Sequence, residues 1–468
     1  MSGVAYAATT GLVGELLASS QASADGPLHV FLVTIDTIRA DHLPMYGYPR
    51  NTAPFLDKLS KESVLFRRAV SSCSHTNPAH LSILSGLQPP QHKLHTNIEE
   101  NFSPSVRLAS QVFHEKGFAT AACCSVRWLK VFERGFDHFV YYPNQRTAED
   151  KTALYYPAAT TVNHALAWLE QRTPEEPLFL WVHFFDPHRP LHAPAPHTAE
   201  MEIRTPEERS QLLDHWQKVQ HKTLGEWKGN LDAFVAEHNA YDAEIHYLDA
   251  ELERLYHWAQ EHGLNQDSLW IITGDHGEGL GGHNYRDHGM YLYQEELLVP
   301  LLIHDGSGRF RPRVVEELVA HVDLVPTLGA LYQWPEFVQP WSPTPGVGLL
   351  PLLEGKIDRW PVPRLCFAQR QHRYPQGYST QWEPDPIYCL QSSQCKYIVH
   401  TNGQDECYDL STDPGELVNV ISKGNPCCLQ MGALARAAFQ TLTESAQDVA
   451  PPEFTGEYGE HLKALGYL

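Results

Sequence analysis

His29-Val-Phe-Leu-Val-Thr-Ile35 is a continuous apolar run of strand length that stops on Asp36. Two later stretches repeat the pattern. Leu178-Phe-Leu-Trp-Val-His-Phe-Phe185 stops on Asp186-Pro187-His188, and Ser268-Leu-Trp-Ile-Ile-Thr273 stops on Gly274-Asp275-His276-Gly277-Glu278. Strands apolar at every position suit a parallel sheet covered on both faces. In open α/β sheets the site lies beyond the carboxyl ends of such strands. Three of them would bring Asp, Asp-Pro-His and Asp-His to one edge, which is metal-site chemistry. Between them the pattern predicts helices over 105–116 and 157–171 and a strand over 118–122. The spacing of Ile245, Leu248, Leu252 and Leu255 predicts a long amphipathic helix over 240–262. The fold class is α/β, a mostly parallel sheet sandwiched by helices.

Thr76-Asn-Pro-Ala-His80-Leu-Ser-Ile-Leu-Ser-Gly86 reads as a helix start. Pro78 suits the first helical position and Asn77 the N-cap, which leaves the Thr76 hydroxyl beside the positive helix end, an anion site. Thr52 reads as the cap of another helix through Leu59. A polar stretch near 206–220 reads as a helical insertion able to wall the site. Beyond Thr327 the character changes. Proline-rich loops precede short β runs at 386–390, 396–400 and 406–409, then a helix near 428–446, predicting a small C-terminal antiparallel sheet plus helix.

The 468 residues carry a formal net charge of −21, which argues against nucleic acid or an anionic membrane as partner. That field repels anions, so any site for them needs local positive charge. The nine cysteines show no CxxC and read as free, mostly buried thiols. No run reaches membrane-spanning length. Residues 1–26 read as a flexible leader without the basic start of a secretion signal, so a cytoplasmic location is favoured over a secreted or periplasmic one.

On these motifs the chain resembles the sulfatase family of the alkaline phosphatase superfamily. Thr76 to Gly86 is similar to that family's signature, and Asp36-Thr-Ile-Arg-Ala-Asp-His-Leu43 to its opening metal motif. Tyr241–Asp249, Gly274–Glu278, Val299-Pro300, Val322–Leu328, Tyr408–Glu416 and Leu465-Gly-Tyr-Leu468 resemble later blocks, in order. The resemblance implies a catalytic domain over 27–350, a smaller C-terminal subdomain over 351–468, and hydrolysis of a small anionic sulfate or phosphate ester. An oligomer is compatible with it. Most relatives carry Cys or Ser at the nucleophile position, converted to formylglycine, with Arg four residues on. This chain has Thr76 and His80, and Cys73 lies at the wrong offsets. Its Asp275-His276 pair is similar to the phosphonate monoester hydrolase and phosphodiesterase-like branch.

The expected metal ligands are Asp36, Asp275 and His276, with Thr76 as nucleophile and further ligand. The ion is a divalent cation (Mn, Zn, Ca or Mg), one rather than two. The Asp/His mixture suits Mn²⁺ or Zn²⁺ better than Ca²⁺. The resemblance places His188 on the leaving group and His288 where relatives carry Lys. His288 could instead join Asp186 and His188 in a second metal site. His80 is expected to orient Thr76 or bind the oxyanion, and Asn97 to contact substrate. His92 and His95 could form a metal pair; Thr37, Arg39 and His283 are as readily structural. A phosphoethanolamine-type transferase and a catalytically silent metal-binding homologue are the alternatives.

Overall fold

The computed structural model describes residues 26–97, 101–143, 155–220, 231–339, 345–373 and 383–445. Its main sheet has eight strands: β1 (His29–Ile35), β2 (Val64–Val70), β3 (Ala119–Cys124), β4 (His138–Tyr141), β5 (Leu178–Phe184), β6 (Ser268–Gly274), β7 (Leu298–Asp305) and β8 (Arg313–Ala320). They lie in the order β4-β3-β5-β1-β6-β7-β2-β8. Pairing is parallel except at β7, which runs against both β6 and β2. The three runs read from the sequence form the centre, β1 between β5 and β6. Their register aligns Ile35 with Phe184 on one side and with Gly274 on the other. Asp36 and Asp275 therefore leave adjacent strands at the same level.

Both faces of the sheet are covered, which is why these strands are apolar throughout. Val30 and Leu32 of β1 enter one core, with Leu81 and Leu84 of helix α2 (Thr76–Ser85), Phe113 of α3 (Ala109–Glu115) and Leu328 of α7 (Leu324–Tyr332). Phe31, Val33 and Ile35 enter the other. There they meet α1 (Pro54–Ser60), α4 (Ala158–Leu169) and the long helix α6 (Leu231–Glu261). α6 starts nine residues earlier than the apolar spacing predicts. The insertion is helical as expected (α5, Pro206–Gln220). α1 begins at Pro54 with Ala53 as N-cap, and its first amides are taken by a distant carboxylate. Asp249 accepts the Phe55 and Leu56 N–H groups at 2.7 and 2.9 Å. Thr52 instead donates to the His42 carbonyl.

A second sheet, β12-β11-β10-β9, is antiparallel and comprises β9 (Cys366–Arg373), β10 (Glu383–Gln391), β11 (Cys395–His400) and β12 (Glu406–Asp409). Phe367, Leu390, Tyr397 and Val399 pack on Met431, Ala435 and Leu442 of helix α8 (Pro426–Glu444). Its other face meets Val70, Leu292 and Leu318 of the main body. The expectation of free thiols fails here. Cys395–Cys427 and Cys407–Cys428 are disulfides that staple β11 and β12 to the first turn of α8. Cys73, Cys123, Cys124, Cys366 and Cys389 are buried thiols. Residues 1–25 of the expected leader and the Leu465–Leu468 ending lie outside the described residues. Blocking the unfolded, unreduced protein with an alkylating agent is expected to modify five cysteines. Mass spectrometry after reduction and a second, heavier reagent is expected to reveal the remaining four.

Candidate functional site

Asp36 and Asp275 follow β1 and β6 directly. The Asp36 N–H donates to Phe184 O, and that of Asp275 to Ile35 O. Both carboxyls are fully buried. Asp275 Oδ1 accepts the His276 and Thr37 amides at 2.7 and 3.2 Å, but its Oδ2, like Asp36 Oδ1, has no hydrogen-bond donor. Burial pushes the Asp275 carboxyl up to about 7. Burial, then the charge of Asp275, raises Asp36 well above the usual carboxylate range. His276 Nδ1–H donates to Gly277 O at 2.9 Å, an assignment made from its partner. The Nε2 lone pair then faces the acids, 3.6 Å from Asp275 Oδ2 and 3.9 Å from Asp36 Oδ1. Donor atoms of Asp36, Asp275 and His276 lie within 4.8 Å of one another. Two bare carboxylate oxygens and an imidazole fixed by a backbone carbonyl make a set that fits a divalent cation.

Thr76 reaches this cluster from the first turn of α2. Its Oγ1 lies 3.4 Å from Asp36 Oδ2 and 3.4 Å from His276 Nε2. The helix begins earlier than predicted, with His75 as N-cap and Thr76 as its first residue, so Pro78 sits third and Asn77 second. Asn97 takes the capping work. Its Oδ1 accepts the Asn77 N–H at 2.8 Å while its Nδ2 donates to Thr76 Oγ1 at 3.2 Å. Gly86 ends the helix in the left-handed conformation (φ 72°), its N–H on Ser82 O.

His80, one turn on, is held behind Thr76. Its Nδ1–H donates to the Thr76 carbonyl at 2.8 Å, and its Nε2 accepts from the Thr34 hydroxyl at 2.9 Å. Burial lowers its pKa to about 3. His80 is therefore neutral with both nitrogens engaged, one of them on the Thr76 carbonyl. Thr34 also accepts from Trp181 Nε1 at 2.9 Å and lies 3.3 Å from His183 Nδ1. Sequence reasoning passed over His183, lodged inside an apolar run. It is fully buried, with Nε2 3.7 Å from Asp36 Oδ2. Its one sequence signal is a lone imidazole on a strand that ends at the site.

Beyond His276 the imidazoles form a row. The rings of His276 and His288 are 4.5 Å apart, and those of His288 and His188 are 5.0 Å apart. Phe185 stacks on His188 at 4.2 Å. Burial lowers His188 well below the ordinary imidazole value. Burial lowers His288 too, but Glu278, 3.4 Å from its Nδ1, together with Asp287 and Asp275, leaves its pKa raised. Asp186 turns Oδ1 to the Ala158 N–H at the start of α4, and the gathered donors include neither it nor His188 and His288. The His92/His95 pair is not among them either, and His92 engages Ser82 and the Leu94 N–H with its two nitrogens. Arg39 pairs with Asp41 and donates to the Glu278 carbonyl, under Trp216 of α5. His283 bonds Glu295 and the Glu416 carbonyl, joining the site loop to the small sheet.

A chain with this sheet and these donors falls in the class of ester hydrolases. It belongs to the sulfatase family, whose model matches residues 29–333. It is 23% identical over 447 residues to an uncharacterized sulfatase, YidJ, of Escherichia coli K12, covering 84% of this chain and 83% of the relative. It is 24% identical to the multifunctional alkaline phosphatase superfamily protein PehA of Trinickia caryophylli, with 85% and 91% covered. The phosphonate monoester hydrolase of Agrobacterium radiobacter shares the fold, with a TM-score of 0.66 at 19% identity, covering 91% of this chain and all of that one.

The Thr34 hub gives a stability test. Thr34→Val leaves the Trp181 donor and the His80 acceptor buried without partners, each worth about 1–3 kcal/mol. Urea unfolding is expected to show a loss within that range or above it, with the m-value unchanged.

Proposed function

We propose that the chain is a metal-dependent hydrolase of sulfate or phosphate esters, mono- or diesters, that uses the unmodified hydroxyl of Thr76 as nucleophile. The observation that carries this reading is Thr76 Oγ1, 3.4 Å from both Asp36 and His276 at a helix N-terminus. Asp36, Asp275 and His276, with Thr76 beside them, would hold one divalent cation. Mn²⁺ or Zn²⁺ fits their oxygen and nitrogen donors better than Ca²⁺ or Mg²⁺. Bound there, such an ion supplies positive charge that makes the hydroxyl more acidic and the ester more electrophilic.

The side chains supply the rest. Thr76 stands at the positive end of the α2 dipole, which favours negative charge there. The Asn97 amide holds Oγ1 in place, and His80 anchors the Thr76 carbonyl. Thr76 Oγ1 attacks phosphorus or sulfur in line and loses its proton, the bridging ester oxygen leaves and gains one, and water then cleaves the Thr ester. In this reading His288, beside Glu278, would hold a nonbridging oxygen, and His188 would serve the leaving group. The two disulfides favour an oxidising compartment over the cytoplasm suggested by the leader.

A panel of aryl sulfate, phosphate monoester, phosphodiester and phosphonate ester is expected to yield at least one substrate. On it Thr76→Ala is expected to lower kcat by about a thousandfold or more. Undiminished turnover by Thr76→Ala removes the nucleophile, and a flat panel for metal-loaded wild type supports the silent homologue. Adding Mn²⁺ or Zn²⁺ to chelator-stripped protein is expected to raise its melting temperature. The stabilisation is about 2.7 kcal/mol when the free ion stands a hundredfold above its Kd. Asp36→Asn and Asp275→Asn are each expected to abolish that rise.

A further inference from the structure

Among the described residues two groups of donors converge closely enough to hold an ion, and one of them is the acid–imidazole cluster beside Thr76. The other lies in the C-terminal subdomain, where the Sγ atoms of Cys395, Cys407 and Cys427 are within 4.8 Å of one another. Cys428, bonded to Cys407, brings a fourth sulfur to the same place.

Three segments build this convergence. β11 and β12 run antiparallel, with Tyr397 opposite Cys407. Cys395 is two residues from Tyr397, so both cysteines take one face of the sheet. That is the face α8 covers. The first turn of α8, entered through Pro426, sets Cys427 and Cys428 against the pair. Its N-cap Asn425 holds the turn: Oδ1 accepts the Cys427 N–H at 3.0 Å, and the carbonyl accepts the Cys428 N–H at 3.0 Å. The positive end of a 19-residue helix therefore stands at the sulfurs and favours thiolate over thiol. Cys366 and Cys389 belong to the core on the other face and take no part.

Four sulfurs gathered in this way suit an ion as well as two bridges. Thiolates bound tetrahedrally to zinc stand about 3.8 Å from one another. After reduction each bonded pair has to part by about 2 Å to reach that spacing. An all-sulfur set selects a soft, four-coordinate ion such as Zn²⁺ and rejects Ca²⁺ and Mg²⁺. Cys395, Cys407 and Cys428 are buried and Cys427 is partly exposed, which leaves one side for entry.

We infer that the four cysteines form a two-state site, a pair of disulfides when oxidised and a tetrathiolate zinc site when reduced. Each S–S bond takes up two electrons and two protons from a dithiol, or from a phosphine in water, and becomes two thiols. Zinc then bonds the four sulfurs and displaces their protons. Both states tie the four-residue strand β12 and its neighbour β11 to the start of α8. The subdomain thus keeps its staple in a reducing compartment as well as in an oxidising one. The inference stands apart from the hydrolase reading of Thr76.

The full chain carrying Asp36→Asn and Asp275→Asn, which removes the acids of the other cluster, isolates this site. Reduced with a phosphine and dialysed against zinc, it is expected to retain one zinc per chain more than its oxidised form. Co²⁺ in place of zinc is expected to give the near-ultraviolet charge-transfer band of a cobalt thiolate, which oxygen and nitrogen ligands do not produce. Cys407→Ser and Cys427→Ser in that background are expected to lose the band, and Cys389→Ala to keep it. A measurement that leaves every cysteine in place guards against misfolded variants: zinc is expected to raise the melting temperature of the reduced chain and not of the oxidised one. Equal zinc content in the two forms, or no charge-transfer band, overturns the inference. So does a reduced chain that melts at the same temperature in zinc and in chelator. A band that survives both Cys407→Ser and Cys427→Ser assigns the metal to other thiols and also overturns it.

Discussion

Two fully buried carboxyl groups, each with a bare oxygen, set the terms for the rest of this molecule. Ordinary burial disfavours charge, and it does so here with both signs: Asp36 and Asp275 are raised, while His80, His188 and His276 are lowered. His288 departs from this trend, because Glu278 and other nearby acids raise it. With a net charge of −21, any positive potential for an anion at this site has to be local.

The loops that carry these groups are tied to one another. Arg39 runs from the Asp36 loop to the Glu278 carbonyl, and Trp216 of the inserted helix lies over its guanidinium at 5.3 Å. His283 continues the chain of contacts to Glu416, in the loop after β12, which pairs with Lys396 of β11. The insertion and the second sheet therefore brace the site loops and are not appendages in the mechanical sense.

What could be read in advance follows from how each element meets its surroundings. β1, β5 and β6 were legible because burial on both faces leaves no polar position to confuse the pattern. β2 hides Arg67 and Arg68 in its middle, and β7 carries Pro300, so neither looks like a core strand by composition. The acids and imidazole of the cluster were legible because each directly follows a strand. His183 was not, since a strand's own side chain gives no sign of which strand end it faces. The start of α2 was misplaced by local capping rules because Asn97, twenty residues away, supplies the cap. The disulfides were hidden for a similar reason: Cys395 and Cys427 are 32 residues apart and meet only through tertiary packing.

The position of β1 has a consequence for how the chain comes off the ribosome. This strand finds one neighbour at residues 178–184 and the other only at 268–274, after more than half the polypeptide has been made. Until then its seven residues wait in a nascent chain with at least one open side, a template for stray pairing. Shelter during synthesis, more than stability once folded, is the demand this topology makes on the cell that produces it.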